Sequence, residues 1–199
     1  MMPEFSPLIV RFPARVAPSA DDFFDFCQAN PNVRIERTAE GDVIVMTPAG
    51  GESSRRNAEI VRQLADWARS DGTGLVFDSS AGFTLPDGAI RSPDAAWVAR
   101  GRLARLTSEQ RERFLPLCPD VVIELRSPSD ALSDLHEKMR EYLANGARLG
   151  WLIDPFDRQV FVYRPGQSVE RVAEPVGLLG DPVLPAFTLD LREIWSDSL

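Results

Sequence analysis

The pattern of this chain predicts an α/β fold, and three observations carry the prediction. Val121-Val122-Ile123-Glu124-Leu125 is an apolar run of strand length, the most apolar of the chain, and reads as a central strand. Two longer stretches, from about Glu52 to Ser70 and from about Ser129 to Leu143, repeat apolar residues at helical spacing. Short strand-like segments punctuated by Asn, Pro, Gly and Asp lie around them, so strands and helices alternate along one chain. The 199 residues fit a single domain, 1–199, long enough to bury a sizeable core.

In chain order, Ser19 to Phe26 reads as a short capped helix, ended by Asn30-Pro31-Asn32. Val33 to Thr38 and Val43 to Met46 flank Ala39-Glu40-Gly41-Asp42 and form a hairpin. A loop, Thr47 to Gly51, leads into the first long helix, whose stripe is Ile60, Val61, Leu64, Trp67 and Ala68. Extending that stripe backwards turns Asn57 and Ser53 inward, where polar groups either bond internally or line a cavity. Leu75–Asp78 and Ala81–Leu85 are expected to pair, with Pro86-Asp87-Gly88 as a turn, and Arg91 to Val98 to form one strand. Gly101 to Arg113 is a loop with a short helix around Ser108. After the central strand, the second long helix stops at Asn145-Gly146. Leu149–Ile153 and Gln159–Tyr163 make a hairpin across Asp154-Pro155-Phe156-Asp157; short strands follow, ending in an amphipathic turn from Leu191 to Trp195.

Composition narrows the function. Apolar residues at 44% and charged residues at 26% are those of a soluble globular protein. No apolar run reaches the roughly 20 residues of a membrane span, and Met1 to Pro7 lack the basic and apolar regions of a secretory leader. Cys27 and Cys118 show no metal-ligand spacing, which points to the reducing cytoplasm, and a lone His136 excludes zinc sites built on His or Cys. The net charge of -8 argues against indiscriminate binding to a polyanion. Arginine clusters at Arg55, Arg56 and Arg62, and from Arg100 to Arg113, are either local basic patches or solvated faces.

Of 22 basic residues only one, Lys138, is a lysine. It lies on the flank of its helix, beside Tyr142, able to lay its stem on apolar surface and extend its ammonium. The competing use is an exposed pair with Asp134 at i,i+4. Glu124 sits between Ile123 and Leu125 and should face the opposite layer; a carboxylate buried there must be paired, protonated or bound to a metal. A salt bridge to Arg126 or Arg91 is the structural alternative. Asp94, in Ser92-Pro93-Asp94-Ala95-Ala96-Trp97-Val98, stands at the mouth of another apolar strand as a ligand or a loop cap. Two strand carboxylates and one lysine are the minimum set for binding a divalent metal and splitting a phosphodiester.

The stretches Arg91–Val98, Leu106–Asp120, Ile123-Glu124-Leu125-Arg126-Ser127-Pro128-Ser129 and Gly146–Pro155 resemble the Uma-type restriction endonucleases of the PD-(D/E)XK nuclease superfamily. Met46-Thr47-Pro48 to Asn57 and Leu184-Pro185-Ala186-Phe187 match as well, so the resemblance covers nearly the whole chain. It implies a restriction-endonuclease-like architecture, a mixed central sheet flanked by helices with added N- and C-terminal hairpins, and a core of about residues 52–165. It places the motif acids on Asp94 and Glu124. The lysine slot two residues after the glutamate holds Arg126, and the lysine is displaced to Lys138. Asn57 stands where many relatives carry histidine, and Glu52 is a weaker candidate acid.

The implied chemistry is hydrolysis of DNA assisted by Mg²⁺ or Mn²⁺ held by Asp94, Glu124 and the Leu125 carbonyl, with Lys138 orienting or deprotonating the nucleophile or neutralising the transition state. Arg126, Asn57 and Glu52 would support the site or touch substrate. A homodimer is compatible with this reading. The alternative is a catalytically inactive nuclease-like domain that binds nucleic acid or a protein partner; intact Asp94, Glu124 and Lys138 favour the enzyme, and the acidic balance favours the binder.

Overall fold

The computed structural model describes residues 8–11 and 18–196. Met1 to Pro7, read above for a leader, lie outside them. The elements are β1 (Leu8–Val10), α1 (Ala20–Ala29), β2 (Arg34–Arg37), β3 (Val43–Met46), α2 (Gly51–Asp71), β4 (Gly74–Asp78), β5 (Phe83–Thr84), β6 (Ile90–Arg91), β7 (Ala95–Ala99), α3 (Arg100–Leu103) and α4 (Ser108–Glu112). Then come β8 (Val121–Leu125), α5 (Leu132–Ala144), β9 (Leu149–Asp154), β10 (Gln159–Tyr163), β11 (Glu170–Ala173), β12 (Gly177–Leu179), β13 (Thr188–Asp190) and α6 (Arg192–Trp195). Local signals account for several ends. Ser19 caps α1 by accepting the Asp22 N–H at 3.1 Å, and Gly72 ends α2 in the left-handed conformation that glycine adopts without strain.

The main sheet runs β11-β10-β9-β8-β7-β4, with β8 and β9 parallel and the other pairs antiparallel. It is a mixed sheet with β8 inside it, as the apolar run required. Strand alternation sorts its two faces. Ala95, Trp97, Ile123, Leu125, Trp151 and Ile153 pack with Ile60, Leu64 and Ala68 of α2 on one side. Ala96, Val98, Val122 and Leu152 pack with Met139 and Tyr142 of α5 on the other. A Cβ on Gly150 would collide with Met139, so the missing side chain lets α5 settle onto β9.

Two expectations need correction. Residues 75–78 and 81–85 do not pair: β4 pairs with β7 along its length, while β5 turns back onto β6 in a second sheet, ordered β1-β3-β2-β6-β5. The fully buried Phe83 draws β5 away, into the cluster under α5. The single strand expected over 91–98 breaks at Ser92-Pro93-Asp94, which sends β6 into the second sheet and β7 into the first. Proline has no N–H for a ladder, and the Asp94 carboxylate instead accepts the Leu125 N–H at 2.9 Å. Leu184, Phe187, Leu189, Leu191 and Ile194 add to the hydrophobic core on the α2 face.

Candidate active site

Continuing the β7–β8 register, in which Ala95 faces Ile123, sets Asp94 opposite Glu124 and Pro93 opposite Leu125. Glu124, flanked by two residues of the α2 face, therefore points to the α5 face, and Asp94 has the same parity. The break that ends the strand leaves Asp94 capping the end of β8. Because the Leu125 N–H points to Asp94, its carbonyl points to the same side, where Pro93 offers no donor. Two carboxylates thus meet at one end of the sheet, with the Leu125 carbonyl beside them.

Lys138 comes down from α5 onto this end. Its ammonium lies 2.9 Å from Glu124 and 2.9 Å from Glu36, with the side chain only 13% exposed. The pairings with Asp134, and of Glu124 with Arg126 or Arg91, are not the ones adopted. Tyr142, one turn after Lys138, donates its hydroxyl to Glu124 at 3.0 Å. His136, on the other flank, pairs with the Tyr163 hydroxyl away from the acids.

Sequence reasoning missed the contribution of the N-terminal hairpin. Arg34 and Glu36 alternate with Ile35 along β2, and Ile35 fills a separate small core with Phe23, Val43 and Ile90. The two charged residues consequently share the opposite face. Arg34 approaches Asp94 at 3.6 Å and donates to the Ser92 carbonyl at 2.6 Å. Glu36 is held by Lys138 and by Arg91 at 3.3 Å, and Arg91 is clamped in turn by Glu141 at 2.6 Å. The legible signal was the Arg-Ile-Glu alternation itself, a charged face on a strand otherwise fit for burial.

The electrostatics of this cluster are unbalanced. Glu36, Asp94, Glu124 and Glu141 face Arg34, Arg91 and Lys138, which leaves one acid without a counter-charge. Burial pushes Glu124 up to about 7, helped by the nearby Asp94 and Glu36 and opposed by Lys138. Burial also raises Asp94, against the pull of Arg34 and the Leu125 N–H. Glu36 goes the other way: Lys138 and Arg91 outweigh its burial and hold it below the usual carboxylate range. Lys138 is raised, because Glu124 and Glu36 outweigh the cost of burying its charge.

An unmatched negative charge beside two raised carboxylates and an oxygen-only donor set is suited to a hard divalent cation. Asp94, Glu124 and the Leu125 carbonyl would hold it. They supply two carboxylates; among the described residues no three His, Cys, Asp or Glu side chains are grouped so as to hold a metal by themselves. The remaining oxygen positions would fall to water.

The structure does not bring Glu52 into this set. It belongs to α2, on the opposite side of the sheet, and pairs with Arg55 at 3.1 Å and Arg56 at 3.6 Å. Asn57 also lies on α2, with its carbonyl oxygen buried and without a hydrogen-bond partner among the described residues. The arginine clusters are largely spent on acids: Arg62 binds Glu59 and Asp66, Arg102 binds Asp120, and Arg113 binds Asp21 and Asp25.

Arg126 does not contact Glu124. Its guanidinium binds Asp154 at 2.8 Å, an acid with no exposed side-chain surface, and lies over the Phe156 ring at 5.4 Å. Arg126→Ala should therefore lower stability by about 1.5–3 kcal/mol, the worth of a hydrogen bond to a charged group. Urea denaturation will read this, and a midpoint equal to that of the parent would show that the Asp154 turn needs no guanidinium.

Comparison with known proteins gives the family and the fold. The family model described as "Uma2: Putative restriction endonuclease" matches residues 20–192. Among solved structures, a "putative nuclease belonging to DUF820" from Anabaena variabilis ATCC 29413 superposes with a TM-score of 0.74 at 24% identity, covering 89% of this chain and 97% of that one. That likeness shows the fold. No curated protein matches the sequence.

Proposed function

The chain belongs to the Uma2 restriction endonuclease family, and on that footing we propose that it is a metal-dependent DNA endonuclease that hydrolyses phosphodiester bonds. One observation carries the proposal: Glu124, raised to about 7, is buried beside Asp94 with the only lysine of the chain 2.9 Å away. A structural ion pair requires one acid and one base. Here the acids are in excess, and burial makes that excess costly unless a further cation arrives.

Bound Mg²⁺ or Mn²⁺ would acidify a coordinated water and offset charge on the phosphate. Asp94 and Glu124 would hold and orient it, and for that Glu124 must be ionised. Lys138 acts as an ammonium, because its two glutamates favour the charged form. Of the roles expected for it, donating a hydrogen bond to the attacked phosphate fits this state better than removing a proton from water. Arg34, against Asp94 and one-third exposed, offers a second cation to the substrate. DNA is the partner this chemistry implies, with the cytoplasm the setting that suits two free thiols. No helix among the described residues is long and apolar enough to cross a membrane.

The test is cleavage of supercoiled plasmid and of single-stranded DNA with Mg²⁺ or Mn²⁺, with chelator and with Asp94→Ala. The parent should cut only with metal, and Asp94→Ala should leave both substrates intact. DNA retained on the protein without any cutting would replace the enzyme with the binding module. Light scattering on the same samples reads whether the chain is a homodimer.

A further inference from the structure

We infer that Glu36, on β2 of the N-terminal hairpin, is a positioning residue that ties the Lys138 ammonium to the Ser92–Asp94 bend. The inference rests on the proposed role of Lys138. A single oxygen of Glu36 accepts both the Ser92 N–H, at 2.9 Å, and the Lys138 ammonium, at 2.9 Å. The strand break deprives Ser92 of ladder partners, and side chains of β2 take their place. Glu36 accepts its N–H, and Arg34 donates to its carbonyl at 2.6 Å. Asp94 follows two residues later, so the place of this acid depends on that bridge.

The other oxygen of Glu36 binds Arg91, which Glu141 clamps from α5. Glu36 therefore grips α5 at two successive turns, directly at Lys138 and through Arg91 at Glu141. Packing of the hairpin gives no reason for this carboxylate. The apolar contacts of β2 are made by Ile35 on its opposite face, while Glu36 is buried at 2% exposure against groups 55 to 102 residues distant in sequence. A buried charge costs several kcal/mol unless its partners are fixed, and fixed partners are what a catalytic ammonium and a ligand-bearing bend require.

That Lys138 is the only lysine supplies a direct readout. Full-length protein grown on isotopically labelled lysine gives one side-chain NMR signal. In the parent that signal should be rigid, with ammonium protons protected from exchange. In Glu36→Ala it should acquire the motion of a free surface lysine. Turnover on DNA should fall on the order of 10–100-fold, the cost of slight misplacement, while KM stays unchanged. Glu36→Gln, which still accepts from Ser92, should recover part of both effects and serves if the alanine variant does not fold. A rigid, protected Lys138 in the folded variants overturns the inference, as does a change confined to KM. Should the parent cleave nothing, the proposed function fails while the NMR comparison still decides the role of Glu36.

Discussion

Lys138→Met should abolish cleavage and also destabilise the fold. The loss of rate should be at least on the order of 10²–10³, the effect of removing one preorganised donor from developing charge. The fold depends on the ammonium because it is the shared partner of two acids that are each only 3% exposed or less. Removing it leaves Glu124 buried without a cation and Glu36 with Arg91 alone, a loss of about 3–5 kcal/mol for a broken buried pair. The loss should be greater at pH 8 than at pH 6, because Glu124 can take up a proton at the lower pH. Chemical denaturation at both values measures it. A variant as stable as the parent at pH 8 would mean that water already reaches the acids and screens them.

Glu124→Gln should separate metal binding from folding. Glu124 titrates at about 7 in the fold against an ordinary 4.5, so its contribution to stability is complete below about 4.5 and is lost as pH rises through about 7. Glutamine carries no such loss and can still accept from Tyr142 and Lys138. Without metal, the variant should therefore gain on the parent across that window and unfold at a higher temperature at pH 8. With Mn²⁺ the order should reverse. At about 100 times its Kd the ion should stabilise the parent by about 2.7 kcal/mol, more at pH 8 than at pH 6, and should leave the variant unmoved. Cleavage by the variant should be lost. Equal stabilisation of both proteins by Mn²⁺ would remove Glu124 from the ligand set, whatever the nuclease assay shows.

The position of Glu124 was legible because period-two alternation is a local rule: an acid between Ile123 and Leu125 must face the other layer. Lys138 was legible for the same reason, since helical phase sets the flank from which a long side chain can leave. Asp94 was legible as an acid at a strand mouth. The break that gives it its bond to the Leu125 N–H was not foreseen, although Pro93 was in view, because a proline tells which bond cannot form and not which one replaces it.

Arg126 and Glu36 show where sequence reasoning stops. Arg126, two residues beyond Glu124, is offered by sequence as its salt-bridge partner, yet a guanidinium has reach, and the parallel neighbour β9 gives it the buried Asp154. Glu36 was read as one residue of a peripheral hairpin, while in the fold it is the anchor of the lysine. By itself the sequence determined the fold class, the central strand, the two long helices and which side chains leave each element on which face. Tertiary structure alone decided which charge meets which. The periodicity of a strand or helix fixes direction over a few residues, whereas a buried ion pair is chosen by the whole set of acids and bases that the topology brings within a few ångströms, here across 102 residues of chain.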